Sequence, residues 1–568
     1  MCSIAADAGR ESRKFMWTQL EPSCLPLQCG SAVSVQMRMF TRGLRVRVSR
    51  KPLNAGVILA VRAYSVAIVG AGPAGFYTAK YLTEGGFSEL SSKVTRVDII
   101  EKLPVPYGLV RFGVAPDHEP TKSVMATFLE VGGRDRVRFL GNVAVGEGGG
   151  PSVDDLLKSY NAVVLAHGAV SDTPVGCPGE DLDGVLSARA VVNWYNGHPD
   201  FAHLGTAMDL PNVSDVVIIG QGNVAIDCAR VLAKTRDALA VTDMADNALE
   251  TLAQSRVRRV SIVGRRSHVQ AACTIKELRE LSRLPQCTLA TDAEDMALGD
   301  SAANDEEATA RPRKRITELI EGFPRWEMGN EGYAVAAAAA AGGGGGGDDD
   351  EEETDMQICL RFLAQPLRME GGADGADGAG RGRVARVCFG RSQLTGPAGA
   401  QKVALAQEQA FVLPAQLVIT SVGYKCEPLP GVPFDPKRAV VPSTGGRVVE
   451  GMEGKDSEAV RVVPGLYVAG WLKRGPTGII GTNIPDAKET AAAVLKDIAA
   501  LEAGAVAALP GMGVGMDVDV GGAAAGGVVV DWARYLRIQE EEERIGLASD
   551  PPRPRRKFTT IDTMLDVK

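Results

Sequence analysis

The sequence of 568 residues contains no Cys-x-x-Cys pair, because its 10 cysteines are scattered along the chain. A redox dithiol like that of thioredoxin reductase needs this spacing, and iron–sulfur or zinc sites built from cysteine need similarly close ligands. The sequence therefore predicts neither a dithiol centre nor a metal site in this chain. Scattered cysteines are most simply free thiols in a reducing compartment.

Long apolar runs are absent as well, since no stretch reaches the length of about 18 uninterrupted apolar residues that a membrane span needs. Aromatic residues make up only 5% of the chain, whereas glycine occurs 66 times, which indicates added low-complexity sequence. The net charge of -8 argues against nucleic acid as the main partner. The remaining composition is that of a globular protein large enough for two or three domains.

Acidic residues are missing between Pro22 and Thr83, where basic residues accumulate. The basic positions are Arg38, Arg42, Arg45, Arg47, Arg50, Lys51 and Arg62. This composition predicts an organellar transit segment within residues 1–63, with a basic amphipathic helix over residues 37–50. A secretory signal would need a continuous apolar stretch after its charges, and a disordered basic tail is the alternative.

Two glycine-rich motifs stand about 150 residues apart, VAIVGAGPAG at residues 66–75 and VVIIGQGNVA at residues 216–225. Each consists of an apolar strand, a turn and a helix with a 3.6-residue apolar period, which is the context of a dinucleotide-binding fingerprint. Glycine turns in α/β folds often bind nothing, but two complete motifs in one chain favour binding. Two dinucleotides in one chain suggest an enzyme that passes a hydride from one to the other.

The small residues of these motifs have separate physical roles. The first glycine permits the tight turn, the second lets a pyrophosphate approach the backbone, and the last small residue lets the helix pack closely on the strand. The helix N-terminus then faces the phosphates. These three positions are Gly70, Gly72 and Gly75 in the first motif, and Gly220, Gly222 and Ala225 in the second.

The strands that follow the two motifs end in opposite charges. Glu101 ends the strand after the first motif, and a carboxylate there can accept hydrogen bonds from an adenosine ribose. Arg265 and Arg266 stand at the corresponding place after the second motif, where two guanidinium groups can pair with a 2′-phosphate. The first nucleotide is therefore predicted to be FAD or NAD, and the second NADP rather than NAD. A solvent-facing Glu101 and two surface arginines are the alternatives.

Three further segments carry candidate chemistry. A loop rich in proline and glycine, residues 102–118, ends in Asp117 and His118, which could manage protons near a flavin or could be structural. The glycine-rich block around Trp471 and Gly478 precedes an apolar helix and could cap a flavin with backbone N–H groups. Residues 311–315 form a basic patch that would attract an acidic protein partner; a solvated helix face is equally compatible.

Four segments are predicted to be poorly ordered insertions, because they lack the apolar pattern that builds a core. They are residues 292–307, 334–353, 371–382 and 503–527.

Taken together and in this order, the motifs resemble those of adrenodoxin-type ferredoxin–NADP reductases, over residues 64 to the C-terminus apart from the insertions. The resemblance implies an α/β fold with two Rossmann-like dinucleotide-binding domains, in which an FAD domain (residues 64–170 and 424–568) is split around an NADP domain (residues 171–423). It implies FAD and NADP(H) as cofactors and an acidic 2Fe–2S ferredoxin as partner. It also implies a monomer in the mitochondrial matrix without a transmembrane segment, compatible with peripheral association with the inner membrane; the residues alone leave a plastid open.

Carried over by position, the resemblance implies two sets of cofactor contacts and a docking surface. The FAD contacts, besides Gly70, Gly72 and Gly75, are Ala74, Glu101, Leu109, Val145, Trp471, Gly478, Ile479 and Ile480. The NADP contacts, besides Gly220 and Gly222, are Gln221, Asn223, Val224, Arg265, Arg266, Glu277 and Gly478. Arg311 and Arg315, four residues apart, correspond to the docking surface for ferredoxin. Two other functions stay open: a flavin-dependent NADPH oxidoreductase with a different acceptor, and a nucleotide-binding scaffold without turnover.

Overall fold

The computed structural model describes residues 33–36, 47–50, 63–309, 313–329, 332–334, 356–372, 382–451, 461–504 and 527–568. Residues Met1–Arg62 are a separate unit, in which strands β1 (Val33–Gln36) and β2 (Arg47–Arg50) pair antiparallel. The helix predicted over residues 37–50 is therefore wrong at its C-terminal end. Residues Arg47–Arg50 pair one by one with Gln36–Val33, a ladder that excludes a helix over the same positions. Residues 37–46 lie outside the described part of the chain.

Residues Ala63–Lys568 form the second unit, which contains two large sheets. Its first stretch alternates strands and helices as the first motif predicts. These elements are β3 (Tyr64–Val69), α1 (Pro73–Thr83), β4 (Val94–Ile100), α2 (Leu109–Phe112), α3 (Glu119–Lys122), α4 (Met125–Gly132), β5 (Val137–Leu140), α5 (Val153–Ser159), β6 (Ala162–Leu165) and β7 (Ser171–Asp172).

The middle stretch contains the second motif and a long hairpin. Its strands are β8 (Val185–Ser187), β9 (Asp215–Ile219), β10 (Arg259–Val263), β11 (Cys287–Asp292), β12 (Arg325–Gly329), β13 (Gly332–Ala334), β14 (Met356–Arg361), β15 (Ala364–Gly371), β16 (Val384–Thr395), β17 (Lys402–Pro414), β18 (Leu417–Thr420) and β19 (Tyr424–Lys425). Its helices are α6 (Ala188–Tyr195), α7 (Leu204–Met208), α8 (Asn223–Ala233), α9 (Arg236–Ala240), α10 (Asp246–Ala253), α11 (Ile275–Leu281), α12 (Ala293–Leu298), α13 (Ala302–Ala308) and α14 (Arg313–Glu321).

The last stretch returns to the first sheet. Its elements are β20 (Ser443–Thr444), β21 (Arg447–Glu450), β22 (Arg461–Val468), α15 (Trp471–Arg474), α16 (Asn483–Glu502), α17 (Trp532–Leu547) and α18 (Ile561–Leu565).

The first sheet has seven strands in the order β20-β21-β22-β6-β3-β4-β5, and its strands from β22 to β5 run parallel. The second has eight strands in the order β13-β12-β11-β14-β10-β9-β18-β8. The first sheet takes strands from both ends of the unit and the second from its middle, so the structure confirms the predicted fold class of two Rossmann-like units, one split around the other. The chain crosses between the sheets along β7 and β19, which pair with each other.

Burial explains why these segments fold as they do. Strand β3 is apolar and almost entirely buried, as a central parallel strand covered by helices on both faces must be. Helix α1 buries Phe76, Ala79 and Leu82 against the same core, which also receives α16 and α17. Among the described residues, no helix is both long and apolar enough to cross a bilayer. The described cysteines are all free thiols, as expected.

The expectation of a poorly ordered insertion at residues 292–307 is wrong, because helices α12 and α13 occupy this segment. Asp292 and Ser301 cap the two helices by accepting hydrogen bonds from backbone N–H groups. Asp295 is fully buried and ion-paired with Arg361 at 2.6 Å, so this acidic side chain belongs to the core rather than to solvent. The other three predicted insertions lie outside the described residues except at their ends.

Candidate active site

The first glycine-rich turn has a backbone that only glycine can adopt. Gly70 has φ +109°, and a Cβ there would lie 2.6 Å from the carbonyl oxygen of Ala166. A Cβ on Gly75 would lie 2.1 Å from the carbonyl oxygen of Gly70. The N–H of Gly70 donates to the carbonyl of Ile100 at 2.8 Å, which holds the turn against the end of β4. These contacts explain the sequence at two of the three small-residue positions.

Gly72 is different, because a Cβ there would meet nothing within 4 Å and its φ of -83° is available to any residue. Gly72 stands at the N-terminus of α1, where no side chain caps the helix. The first N–H groups of a helix need an acceptor, and they attract phosphate. The space in front of Gly72 therefore fits the pyrophosphate of the FAD that the sequence predicts.

Glu101 has a structural role that the sequence prediction did not include. Its carboxylate accepts hydrogen bonds from the N–H groups of Ala71 at 2.9 Å and Leu103 at 3.2 Å, while Tyr107 donates its N–H to the carbonyl of Ala71 at 2.8 Å. Burial raises the pKa of Glu101. The loop after β4 thus holds both backbone groups of Ala71, and the predicted contact between Glu101 and a ribose stays a prediction.

Three other predicted FAD contacts surround the same turn. Ala74 is buried in the first turn of α1, and Val145 is buried in the cluster that contains Val69 and Ile100. Leu109 begins α2 directly after Gly108, where a Cβ would approach the Cα of Gly72 to 3.3 Å. The structure therefore brings these residues together.

The C-terminal glycine-rich block closes on the start of α1 from the other side. Gly470 has φ +76°, and a Cβ there would lie 2.6 Å from the Cβ of Ala74. Its N–H donates to the carboxylate of Asp486 in α16, a residue that the sequence analysis missed although it is the acidic residue of that helix's first turn. Residues separated by nearly 400 positions in the chain thus form one site.

Side chains of this block are available to a ligand. The ring of Trp471 lies 5.5 Å from the ring of Tyr424, and its Nε1–H donates to the carbonyl of Thr477 at 3.1 Å. Gly478 has φ +86°, and the next residue, Ile479, is 69% exposed. Trp471, which is half-buried, and the exposed Ile479 thus place apolar side chains beside the glycine-rich turn. The block fits the flavin end of FAD.

The second glycine-rich turn repeats the geometry of the first. Gly220 has φ +125°, and a Cβ there would lie 2.2 Å from the carbonyl oxygen of Ser421, whereas a Cβ on Gly222 would meet nothing within 4 Å. Helix α8 begins after Gly222 without a side-chain cap. A second open helix N-terminus therefore lies at the end of the second sheet, and it fits a second pyrophosphate.

The polar residues of the second turn hold their neighbours. Gln221 donates its Nε2–H to the carbonyl of Arg361 at 2.6 Å, and the Oδ1 of Asn223 accepts from the N–H of Thr274 at 2.7 Å. Val224 packs against the core of the second sheet. The predicted NADP contacts at these three positions stay predictions. The three side chains stabilise the turn by contacting neighbouring parts of the protein.

Arg265 and Arg266 follow β10, directly beside this turn. Both are exposed, and neither forms an ion pair with another described residue. Gly264 allows the close approach, because a Cβ there would lie 2.0 Å from the Gln221 side chain. Two exposed guanidinium groups at the end of the strand next to a dinucleotide turn fit the 2′-phosphate of NADP.

Asp117 connects the first sheet to the second. Its carboxylate accepts hydrogen bonds from Arg230 Nε at 2.8 Å and Nη2 at 3.0 Å on α8, and from Nζ of Lys234, the residue that follows α8, at 2.7 Å. These cations hold the pKa of Asp117 well below its usual range. The pairing gives Asp117 a structural role, and the catalytic role suggested by the sequence stays a prediction.

His118 joins the same junction. Its Nε2 lies 2.6 Å from Glu280 and 3.3 Å from Glu277, both on α11. Glu277, a predicted NADP contact, lies 3.3 Å from both His118 and Arg230, and its contact with NADP stays a prediction. Burial raises the pKa of the neighbouring Asp227 to about 6. His118, Asp227 and Glu277 could converge on a cation, but the guanidinium of Arg230 already lies 2.7 Å from Asp227 and 3.3 Å from Glu277.

Of the cations that the structure describes in the basic patch of residues 311–315, two face solvent and one contacts the protein. Lys314 and Arg315 are exposed on α14, whereas Arg313 donates to the carbonyl of Val269 at 2.8 Å and pairs with Glu307 at 3.0 Å. Arg311 lies outside the described residues. Arg313 therefore anchors the helix, a role that no sequence signal distinguished from that of its neighbours.

Comparisons with known proteins agree with this geometry. A family model described as pyridine nucleotide-disulphide oxidoreductase matches residues 64–282. The chain is 38% identical to the mitochondrial NADPH:adrenodoxin oxidoreductase of Salvelinus fontinalis over 94% of its own length and 97% of that protein. It is 39% identical to the protein of the same name from Arabidopsis thaliana, over 77% of the chain and 83% of the relative. The solved structure of Mycobacterium tuberculosis FprA in complex with NADPH gives a TM-score of 0.72 at 35% identity, over 89% of this chain and 99% of that one.

Proposed function

Because the chain belongs to the family of NADPH:adrenodoxin oxidoreductases, we propose that it takes electrons in pairs from NADPH and passes them singly to a 2Fe–2S ferredoxin. FAD and NADP(H) are its cofactors. When bound, the flavin of FAD accepts a hydride from NADPH and releases electrons one at a time, which a nicotinamide cannot do. The chain's own residues supply binding, orientation and exclusion of water.

Two open helix N-termini, one beside each sheet, carry this proposal. Gly72 and Gly222 each leave space for a pyrophosphate at the start of a helix without a side-chain cap. The strand beside the first turn ends in an acid, Glu101, and the strand beside the second ends in two exposed cations, Arg265 and Arg266. This difference supports FAD at the first turn and NADP at the second.

We assign residues to the two cofactors on this basis. Gly70, Gly72 and Ala74 would hold the FAD pyrophosphate with the N-terminus of α1, while Trp471 and residues 478–480 would cover the flavin. Arg265 and Arg266 would bind the 2′-phosphate of NADP. Hydride transfer needs two rings at near-contact distance more than it needs an acid or a base. The ion pair of Asp117 with Arg230 and the contacts of His118 with Glu277 and Glu280 support a role in holding the two sheets in place for that step.

For the electron acceptor, we propose docking on the exposed face of α14. Lys314 and Arg315 point to solvent there, and Arg311 precedes them in the chain. A cluster of exposed cations on a protein with net charge -8 would attract a small acidic ferredoxin at rates that depend on salt. The relatives carry the word mitochondrial in their names, and we propose the mitochondrial matrix as the location, with residues 1–63 as the transit segment.

The experiment that tests the function is cytochrome c reduction by the purified protein with NADPH, in the presence and absence of a mitochondrial-type 2Fe–2S ferredoxin. A rate that depends strongly on ferredoxin and falls with added salt supports both electron transfer and electrostatic docking. A yellow protein that consumes NADPH without a response to ferredoxin would point to another acceptor. A protein that binds nucleotides but is not bleached by NADPH would be a scaffold without turnover.

A further inference from the structure

The C-terminal segment of residues 553–558, called here the C-terminal strap, lies between the elements of the two sheets. It follows α17, which packs on the first sheet through Tyr535 and Ile538, and it precedes α18, whose Met564 is buried in the same core. The strap contains four cations, Arg553, Arg555, Arg556 and Lys557. An extended surface tail would leave such side chains in water, but here Arg553 and Lys557 are buried.

On one side the strap is attached to α17 by backbone hydrogen bonds. Arg553 donates its N–H to the carbonyl of Gly546 at 3.1 Å, and Arg556 donates its N–H to the carbonyl of Glu542 at 2.8 Å. The N–H of Phe558 donates to the Glu542 carboxylate at 2.9 Å. A Cβ on Gly546 would lie 2.5 Å from the Cα of Arg555, so the close approach requires glycine. The strap therefore belongs to the first sheet's side of the molecule.

On the other side the strap contacts the elements of the second sheet. Arg553 donates to the carbonyl of Met244 at 3.1 Å, and both Arg553 and Arg556 form ion pairs with Asp246 at the start of α10. Lys557 and Thr559 pack closely on Gly197, which follows α6. Met244 belongs to the core of the second sheet. The strap of six residues is thus hydrogen-bonded and ion-paired to both halves of the molecule through Arg553, Arg556, Lys557 and Phe558.

Asp243 is the centre of this contact. It lies 3.0 Å from Lys557 of the strap and 2.6 Å from Lys122 of α3, so one carboxylate pairs with two lysines from distant parts of the chain. Both lysines also donate to the Oδ1 of Asn196, at 3.3 Å from Lys557 and 3.5 Å from Lys122. All four side chains are buried, where an ion pair is screened little by water or salt.

We propose that the C-terminal strap positions the two nucleotide-binding sheets relative to each other, with Lys557 and Asp243 as positioning residues for hydride transfer. The segment from Asp117 to Lys122 is bound at both ends by the second sheet's elements, through Arg230 at one end and Asp243 at the other. The strap, near the C-terminus of the chain, binds the same Asp243 through Lys557 and so adds a second connection between the sheets. The proposal rests on the proposed function, because the quantity that it controls is the distance and angle between the two bound nucleotides.

The rate of hydride transfer is sensitive to the contacts that fix the distance between the two sheets. A displacement of about 1 Å between the reacting groups can cost on the order of 100-fold in rate. Apart from Gly478, which is predicted to contact both nucleotides, the residues assigned to each nucleotide belong to one half of the molecule, and none of them is a strap residue. Loosening the strap is therefore expected to lower the rate of the hydride step and to leave the affinity for NADPH and the FAD content almost unchanged. A residue that only stabilised the fold would not separate these quantities.

The test uses the full-length FAD-loaded protein and two variants of the strap contact. Lys557→Met removes one lysine and leaves Asp243 paired with Lys122, and Asp246→Asn weakens the contact of Arg553 and Arg556 with α10. We expect the limiting rate of flavin bleaching at saturating NADPH to fall about tenfold or more, with the NADPH dissociation constant within about threefold of the parent. We also expect faster amide hydrogen exchange at residues 196–198 and 243–246, with β3 and β6 unchanged.

The matched control is Glu541→Gln, which removes an exposed ion pair with Arg544 on the outer face of α17. This variant should match the parent in both readouts. A parental limiting rate in a folded Lys557→Met protein, or parental exchange at residues 196–198 and 243–246, would overturn the proposal. If Lys557→Met does not retain FAD, Asp246→Asn decides by the same two criteria. If the parent itself is not bleached by NADPH, the proposed function fails, and the exchange experiment still decides whether the strap joins the sheets.

Discussion

The carboxylate of Asp117 and the guanidinium of Arg230 form a bidentate ion pair, with hydrogen bonds of 2.8 and 3.0 Å, between the loop after β4 and helix α8. Both side chains are buried, and Lys234 adds a second cation to the same carboxylate. The pair joins the element that follows the first nucleotide turn to the helix that starts at the second. This buried pair therefore links the two nucleotide-binding halves of the unit through residues outside both glycine-rich turns.

Asp117→Asn should destabilise the folded protein by about 2–4 kcal/mol, because it leaves the buried Arg230 with only part of its negative charge compensated. Asp237→Asn on the exposed face of α9 is the control and should change stability by less than about 0.5 kcal/mol. Chemical denaturation monitored by tryptophan fluorescence measures both. The folded pKa of Asp117 lies below its unfolded value, so its contribution is present above about pH 4 and is lost as pH falls through the folded pKa. Equal stabilities of parent and Asp117→Asn at pH 7 would contradict this role.

Asp227 should give the opposite dependence on pH. Burial raises its pKa to about 6, against about 3.9 for an unfolded aspartate, so the folded state holds a proton that the unfolded state has lost between these values. Stability contributed at this site therefore falls as pH rises through 6. Between pH 5 and pH 7.5, the parent should lose about 1 kcal/mol relative to Asp227→Asn, measured as the difference in unfolding free energy. A difference that is constant over this range would rule out the raised pKa.

Alanine at the second glycine of each turn should separate the two cofactors. A Cβ at Gly72 or Gly222 meets nothing in the protein, so Gly72→Ala and Gly222→Ala should fold like the parent. Gly72→Ala should weaken FAD binding about tenfold or more, roughly 1.4 kcal/mol, while Gly222→Ala should stay yellow and weaken NADPH binding instead. Absorbance of bound flavin and NADPH titration measure these effects.

Gly70→Ala is the contrasting variant for this pair, because its Cβ would collide with the carbonyl of Ala166 in a backbone conformation with φ +109°. It should lose folding stability as well as FAD. Weakened NADPH binding in Gly72→Ala with full FAD content would show that the two turns have been assigned to the wrong nucleotides.

Replacing both Arg265 and Arg266 by alanine should raise the KM for NADPH by about 10- to 100-fold, the loss of two charge-assisted hydrogen bonds to a 2′-phosphate. Bound FAD should remain, and the KM for NADH, which has no such phosphate, should change little. Steady-state reduction of ferricyanide with either coenzyme measures the ratio. Arg279→Ala, an exposed arginine on α11, is the control. Unchanged NADPH kinetics in the double variant would disprove the assignment.

Arg315→Glu on the exposed face of α14 should raise the KM for an acidic ferredoxin about tenfold and reduce its dependence on salt, because charge reversal turns attraction into repulsion. Reduction of ferricyanide by NADPH should be unaffected, since it does not use the docking face. Lys158→Glu on α5, an equally exposed cation of the first sheet, serves as the control. A parental KM for ferredoxin would place the docking surface elsewhere.

Much of the candidate site could be predicted because its chemistry lies in short local motifs. The motifs predicted tight turns at Gly70 and Gly220, and both residues adopt the positive φ that such turns require. Arg265 and Arg266 are identifiable by their position after a strand. The prediction for residues 292–307 was wrong because the contacts that order this segment are not local. Its acidic residues resemble a solvated run in the sequence, but Asp295 pairs with Arg361 and Arg391, which lie 66 and 96 positions further along the chain. A buried ion pair has no signature within either of its own segments.

The sequence by itself therefore determined the two dinucleotide turns and the charges that follow the strands beside them, because each depends on residues within about one turn-and-helix unit. The split arrangement of the two sheets followed only from the resemblance of the whole series of motifs to a known family. Only the tertiary structure decided how the sheets are joined. The pairs of Asp117 with Arg230 and of Asp243 with Lys122 and Lys557 connect residues separated by 113, 121 and 314 positions. Such pairs become stable only after folding has brought the partners together and excluded water, which no local pattern of residues records.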